Sequence, residues 1–174
     1  MTTSEPQQLV EQGKQAFAAE EYDQAASFFF EAVSAYEALD DPLNAAETRN
    51  NLSVALLQAG KAQAAFDAAE DTDEVFAQAN DLKRQAMALG NQAAALEALK
   101  KFDQALEAYE RSAALFAEAG ESEMRSIVLQ SAAALKLKRG KVMDSAFSMI
   151  GSVESAPKPN LLQRFLRFLL RFLK

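Results

Sequence analysis

The sequence predicts an all-α chain laid out as an array of antiparallel helical hairpins, and three observations carry that prediction. The first is composition: good helix formers (Ala, Gln, Glu, Leu, Lys) dominate, and the prolines, Pro6, Pro42, Pro157 and Pro159, fall at helix starts or in a linker. The second is repetition at a step of 40 residues. Lys101-Phe102-Asp103-Gln104-Ala105-Leu106-Glu107-Ala108-Tyr109 has counterparts in Tyr22-Asp23-Gln24-Ala25, Ala62-Gln63-Ala64-Ala65 and Val142-Met143-Asp144-Ser145. Phe29, Ala69 and Tyr109 keep the same step, as do Asp40, Asn80 and Gly120. The third is punctuation, with terminators and caps returning close to every twenty residues. A period in this range means stacked supersecondary units, each too small to bury its own apolar face.

In chain order, Ser4 caps a helix from Glu5 to about Ala19, with Pro6 in its first turn. Its partner runs from Tyr22 to Leu39, marked by Tyr22, Ala25, Phe29, Ala32, Val33 and Tyr36 at three- and four-residue steps. Asp40 closes that helix, and Asp41-Pro42 opens the third as cap and first residue. Gly60 ends the third. One helix is expected from Ala62 to Ala79, then Asn80 as terminator and Asp81 as cap of a helix reaching Leu99. The Phe102 helix continues to Ala119 and stops at Gly120. Ser122 to Arg139 makes a seventh helix closed by Gly140, and Val142 to about Val153 a shorter eighth. The hairpins span about 5–40, 41–80, 81–120 and 121–153, forming one solenoid domain over 1–153, followed by a linker at 154–159. The linker's pattern-breaking composition begins at Ser152.

Several function classes are excluded by what the chain lacks. Without cysteine there is no disulfide, zinc–thiolate site or thiol nucleophile, and without histidine the commonest general base is missing. No Gly-rich phosphate loop or nucleophile motif occurs. The carboxylates, including Glu70-Asp71 and Asp73-Glu74, read as solvated helix faces. The chain is therefore expected to be no enzyme, with no catalytic residues, no metal and no cofactor. Its net charge is −7, and Arg164, Arg167, Arg171 and Lys174 lie in a terminal stretch without acids, so the remainder carries about −11. An acidic body argues against nucleic acid as partner, since phosphate contacts need clustered Lys and Arg. The N-terminus shows no secretory signal, so a cytoplasmic address is expected.

A hairpin with a small residue in its first helix, an aromatic opening the second and Ala three positions later resembles the tetratricopeptide repeat (TPR). The matching residues are Leu9, Gly13, Tyr22, Ala25, Phe29 and Ala32, then Leu89, Ala93, Phe102, Ala105 and Tyr109. The 40-residue step, with Asn51 and Asn91 in first helices, is similar to the longer kinesin-light-chain-type variant. The second repeat departs from the pattern with Ala62, and the fourth with Val142 and Ser145. The resemblance implies a right-handed α-solenoid whose first helices line a concave groove for a protein segment, peptide or helix. Glu47, Asn50, Asn51, Val54 and Gln58 would line it, with Met87, Asn91, Ala94 and Ala98, then Ile127, Gln130, Ala134 and Lys138. Either the asparagine amides bind a partner's main chain or they bridge adjacent repeats. Arg49 is expected as the one fixed cation near the groove centre, with Lys138 at its end.

Asn160 caps a terminal helix over 160–174. At about 100° per residue, its four cations share an arc of roughly 80°. Leu161, Leu162, Phe165, Leu166, Phe168, Leu169, Leu170, Phe172 and Leu173 spread opposite over about 200°. Such a helix is about 22 Å long, too short for an easy span, and is expected to lie in an anionic membrane interface. That would make the chain an adaptor held peripherally at the inner membrane face. Two alternatives stay open: the tail packs on the chain's own repeats as a cap or autoinhibitory segment, or it joins chains into a homo-oligomer.

Overall fold

The structure, a computed structural model, describes residues 5–155, with side chains described for 5–140. Every element among these residues is a helix: α1 (Glu5–Ala18), α2 (Tyr22–Ala38), α3 (Pro42–Gln58), α4 (Ala62–Ala69), α5 (Thr72–Gln78), α6 (Leu82–Ala98), α7 (Phe102–Glu118) and α8 (Ser122–Ser155). Two compact units are distinguished, Met1–Leu135 and Lys136–Lys174. Within the first, α1 packs on α2, α2 on α3, α3 on α4, α5 and α6, and α6 on α7. Val128, Ala132 and Leu135 bring the start of α8 into the α6–α7 core.

The turns explain the period. Glu20, Asp40, Asn80 and Lys100 have φ between 54° and 62°, and Gly60 and Gly120 have φ of 76°, so the left-handed residues fall on multiples of twenty. At each, the next residue's N–H reaches back to the carbonyl five positions earlier: Glu21 to Ala16, Asp41 to Tyr36, Lys61 to Leu56, Asp81 to Phe76, Lys101 to Leu96 and Glu121 to Phe116, all at 2.8–3.0 Å. This is the Schellman closure, which pairs carbonyls a helix end would leave orphaned. The residue that completes it also opens the next helix, as in Ala25 N–H to Glu21 O at 2.9 Å. A three-residue connection thus reverses the chain each time. Asp41 and Asp81 add side-chain caps, accepting from the backbone N–H of Asn44 at 3.2 Å and of Arg84 at 2.9 Å.

Burial follows the 40-residue step. Ala25, Ala65 and Ala105 are fully buried, and Tyr36, Phe76 and Phe116 fill one equivalent position at 7%, 0% and 1% exposure. Small residues let neighbouring helices approach, and the aromatics fill what remains. Gly13 is the tightest case. A Cβ there would lie 2.6 and 2.8 Å from ring atoms of buried Phe29. One step on, Ala69 replaces Phe29 and position 53 carries the larger Ser. Gly13→Ala should therefore lower stability by about 1 kcal/mol, because overpacking (roughly 1–3 kcal/mol) outweighs alanine's helix preference of about 1 kcal/mol. Thermal melting checks this, and an unchanged or higher midpoint would mean the Phe29 ring yields.

Three sequence expectations are corrected. The helix expected from Ala62 to Ala79 breaks: Glu70 is extended (φ −56°, ψ 134°) and Asp71 left-handed (φ 62°). A continuous helix would stack Asp67, Glu70, Asp71 and Glu74 at like-charge three- and four-residue spacings. The break instead places Asp73 and Glu74 in the first turn of α5, where the helix dipole favours acids. The register survives, with Thr72, Asp73 and Phe76 buried where Ala32, Val33 and Tyr36 are. Secondly, Gly140 does not end a helix; α8 runs through it. Intrahelical hydrogen bonding on both sides of Gly140 outweighs its turn preference in this conformation. Thirdly, residues 152–155, where the sequence pattern breaks, are helical as the end of α8. The remaining linker residues and the 160–174 tail lie outside the described residues.

Candidate interaction surface

The candidate groove residues sit on α3, α6 and α8 at equivalent positions. Glu47, Met87 and Ile127 form one series, and all are exposed, Met87 by 41% and Ile127 by 50%. Gln58, Gln130, Ala134 and Lys138 are exposed, as is Ala98, while Asn51, Val54, Asn91 and Ala94 are half-buried. Asn51 and Val54 meet Lys14, Phe17 and Phe29 around a cleft of about 200 Å³. No hydrogen bond ties Asn51 or Asn91 to a neighbour among the described residues, so both amides keep their capacity. Gln130 donates to the Ser126 hydroxyl at 3.4 Å.

Asn50 is the exception. It is 8% exposed, and its amide meets the Thr72 hydroxyl at 3.1 Å, so it binds α3 to α5 and does not line a groove. Asn50 faces the core because α3 turns its Ala46, Ser53 and Asn50 side toward α4 and α5. Arg49 is also not where the sequence suggested. Its guanidinium donates to the carbonyls of Asp67 (3.3 Å), Ala68 (3.1 Å) and Glu70 (3.2 Å), across the α4–α5 break. The Ala69 carbonyl between them accepts from Thr72 Oγ1 at 2.8 Å and Gln92 Nε2 at 2.9 Å. Gln92 also donates to Asp73 at 2.9 Å, and Arg111 pairs with Asp73 at 3.5 Å. All four carbonyls released by the break are therefore satisfied by side chains, which is what lets it sit against the core.

Arg84 is a fixed cation on the candidate face. It pairs with Glu47 of α3 at 3.1 Å and with its own cap Asp81 at 2.6 Å, and it stacks 5.1 Å over the Phe76 ring. The Arg84 backbone N–H, then its guanidinium, hold the Asp81 carboxyl below its ordinary range. The bond to Asp81 leads in raising Arg84 itself. α3 and α6 are thus joined across neighbouring hairpins by the Glu47–Arg84 ion pair. Further into the core, burial and the nearby Glu97 carboxylate push the Tyr109 hydroxyl up to about 12, so it stays a neutral packing group.

A second concavity escaped the sequence reading. Between α2, α3 and α4 lies a cleft of about 700 Å³ with Ala26, Val33, Leu52 and Leu56 in its walls and Phe30 at its edge, 64% exposed. One step on, Phe66 stands in place of Ala26 and the equivalent space is about 230 Å³. The signal was there: Phe30 lies off the stripe of Phe29, Val33 and Tyr36, and an aromatic off the core stripe is left in water. No helix among the described residues is long and apolar enough to cross a membrane. No protein-family model matches the chain, and no curated protein shows significant sequence similarity to it.

Proposed function

We propose that this chain is a non-catalytic protein-interaction module, a right-handed solenoid of the tetratricopeptide type, that holds a partner segment on the face of α3, α6 and α8. The observation that carries the reading is the register: left-handed turns at multiples of twenty, with apolar Met87 and Ile127 left exposed one repeat apart. A turn that returns at a fixed step stacks equivalent helices in the same orientation, so residues one repeat apart share a face. Two unengaged amides at 51 and 91 suit a main chain laid along it, and Met87 and Ile127 suit apolar side chains. In this reading the 160–174 helix tethers the module to an anionic membrane surface.

Two experiments test the parts separately. Met87→Glu with Ile127→Glu alters only exposed positions, so melting should be unchanged while a partner captured by the wild-type chain is lost. Retention of that partner at full stoichiometry would move the site off this face. For the tail, flotation compares the full chain with one ending at Ala156, on anionic and neutral vesicles. Binding by the full chain alone, preferring anionic vesicles and weakening with salt, is the expected result. Equal behaviour of the two chains would remove the membrane role.

A further inference from the structure

The gap between α2 and α4 lacks what closes the gap between α4 and α7. In the latter, Phe66 of α4 packs on the core of α6 and α7, and Lys101 Nζ lies 5.4 Å from the centre of its ring. The Gln92 amide, also in that gap, donates to the Ala69 carbonyl at 2.9 Å. About 230 Å³ of space is left. Forty residues earlier, each of these groups is replaced or diverted. Ala26 stands for Phe66, and Leu52 for Gln92. Lys61, the counterpart of Lys101, is drawn to Asp23 at 2.8 Å. The result is the cleft of about 700 Å³, with Leu52 and Leu56 in its walls.

The rim differs as well. Phe30 stands where α7 carries Glu110 and the α4–α5 break carries Glu70, and it is 64% exposed at the cleft. Glu37 on α2, whose counterpart is Ala77, and Asp67 on α4 place an exposed carboxylate on each wall. Arg49 also borders the cleft, but its Nε and Nη2 donors are already engaged by three backbone carbonyls at 3.1–3.3 Å. The open ring and the two acids therefore ask for an apolar group that arrives with positive charge.

We propose that this cleft is a second docking site, taking an aromatic side chain flanked by Lys or Arg on a segment of a partner protein. The precedent is the chain's own α4–α7 gap, where an aromatic ring sits with an ammonium stacked on it. The incoming ring takes the place of the absent Phe66 counterpart, against Leu52, Leu56 and Phe30. Its flanking cations meet Glu37 and Asp67. The site uses none of the residues assigned to the α3, α6 and α8 face, and it does not involve the tail.

The test is a fluorescent Ala-Lys helical peptide with one central Phe, titrated against the full chain by anisotropy. Saturable binding is expected, weakening with salt, and falling about tenfold when the probe's Phe is replaced by Ala. Phe30→Ser, at an exposed position, should cost a similar factor without moving the melting midpoint. Glu37→Lys should weaken binding and reduce its salt dependence. Ala26→Phe, which gives α2 the residue α4 already carries, should close the cleft and abolish binding. No binding, equal binding of the Phe and Ala probes, or full binding by the Phe30→Ser chain would overturn the proposal, since only a general attraction to an acidic body would remain at most. So would binding that emerges only with Leu166→Glu and Leu169→Glu, because the tail would then be the occupant.

Discussion

Phe116→Ala is expected to lower the unfolding free energy by about 3–5 kcal/mol, the usual cost of emptying a fully buried aromatic site. Phe116 is 1% exposed and belongs to the one core that joins α6, α7 and the start of α8. Its carbonyl also accepts the Glu121 N–H that closes the turn at Gly120, at 2.8 Å, so the side chain sits where the last reversal is made. Every helix that could collapse into the void is held by turns at 100 and 120, and partial relaxation keeps the cost high. The melting midpoint should fall by roughly 10 °C. The core around Phe116 draws on α6, α7 and the start of α8 while α1 and α2 pack in a separate cluster, so the loss should be local. Hydrogen exchange should quicken in α6, α7 and the start of α8 and change little in α1 and α2. Uniform quickening would show that the helices unfold as a single block.

Arg49→Ala should cost about 2 kcal/mol, because it strips the carbonyls of Asp67, Ala68 and Glu70 of a charged donor at the α4–α5 break. The figure is held at that level because two of the three bonds are exposed and water replaces them in part. Arg49→Lys should recover little, since one ammonium cannot span three carbonyls as a planar guanidinium does. Denaturant melts of the three chains check the order. Equal stability of the lysine variant and the parent would mean the break is held by Thr72 and Gln92 alone.

These two sites divide what could be read in advance. The Phe116 position was legible through Tyr36, its equivalent 80 residues earlier, because an aromatic on a stripe of three- and four-residue steps has a burial meaning on any helix. Arg49 was not. As a lone cation on a helix it reads as a groove charge, and only the broken fourth helix supplies the carbonyls it serves. Asn50 and Asn51 show the same limit within one step of sequence. Two adjacent amides look alike in the sequence, yet one is buried against Thr72 and the other lies beside a small cleft. A rotation of 100° separates their fates, and it is set by where the partner helices stand.

By itself, then, the sequence determined the all-α class, the step of twenty, the placing of most helix ends and the residues that fill the spaces between hairpins. Those properties rest on local terms: caps, left-handed terminators and the spacing of apolar residues. The tertiary structure decided the rest. It broke α4 from α5 without losing register, ran α8 through Gly140, and tied Glu47 to Arg84 across two hairpins. Two of these outcomes, the satisfied break and the ion pair, depend on groups far apart in the chain. A glycine's turn preference is a fraction of a helix's cooperative hydrogen bonding, and a freed carbonyl is tolerable only when a distant side chain arrives to satisfy it.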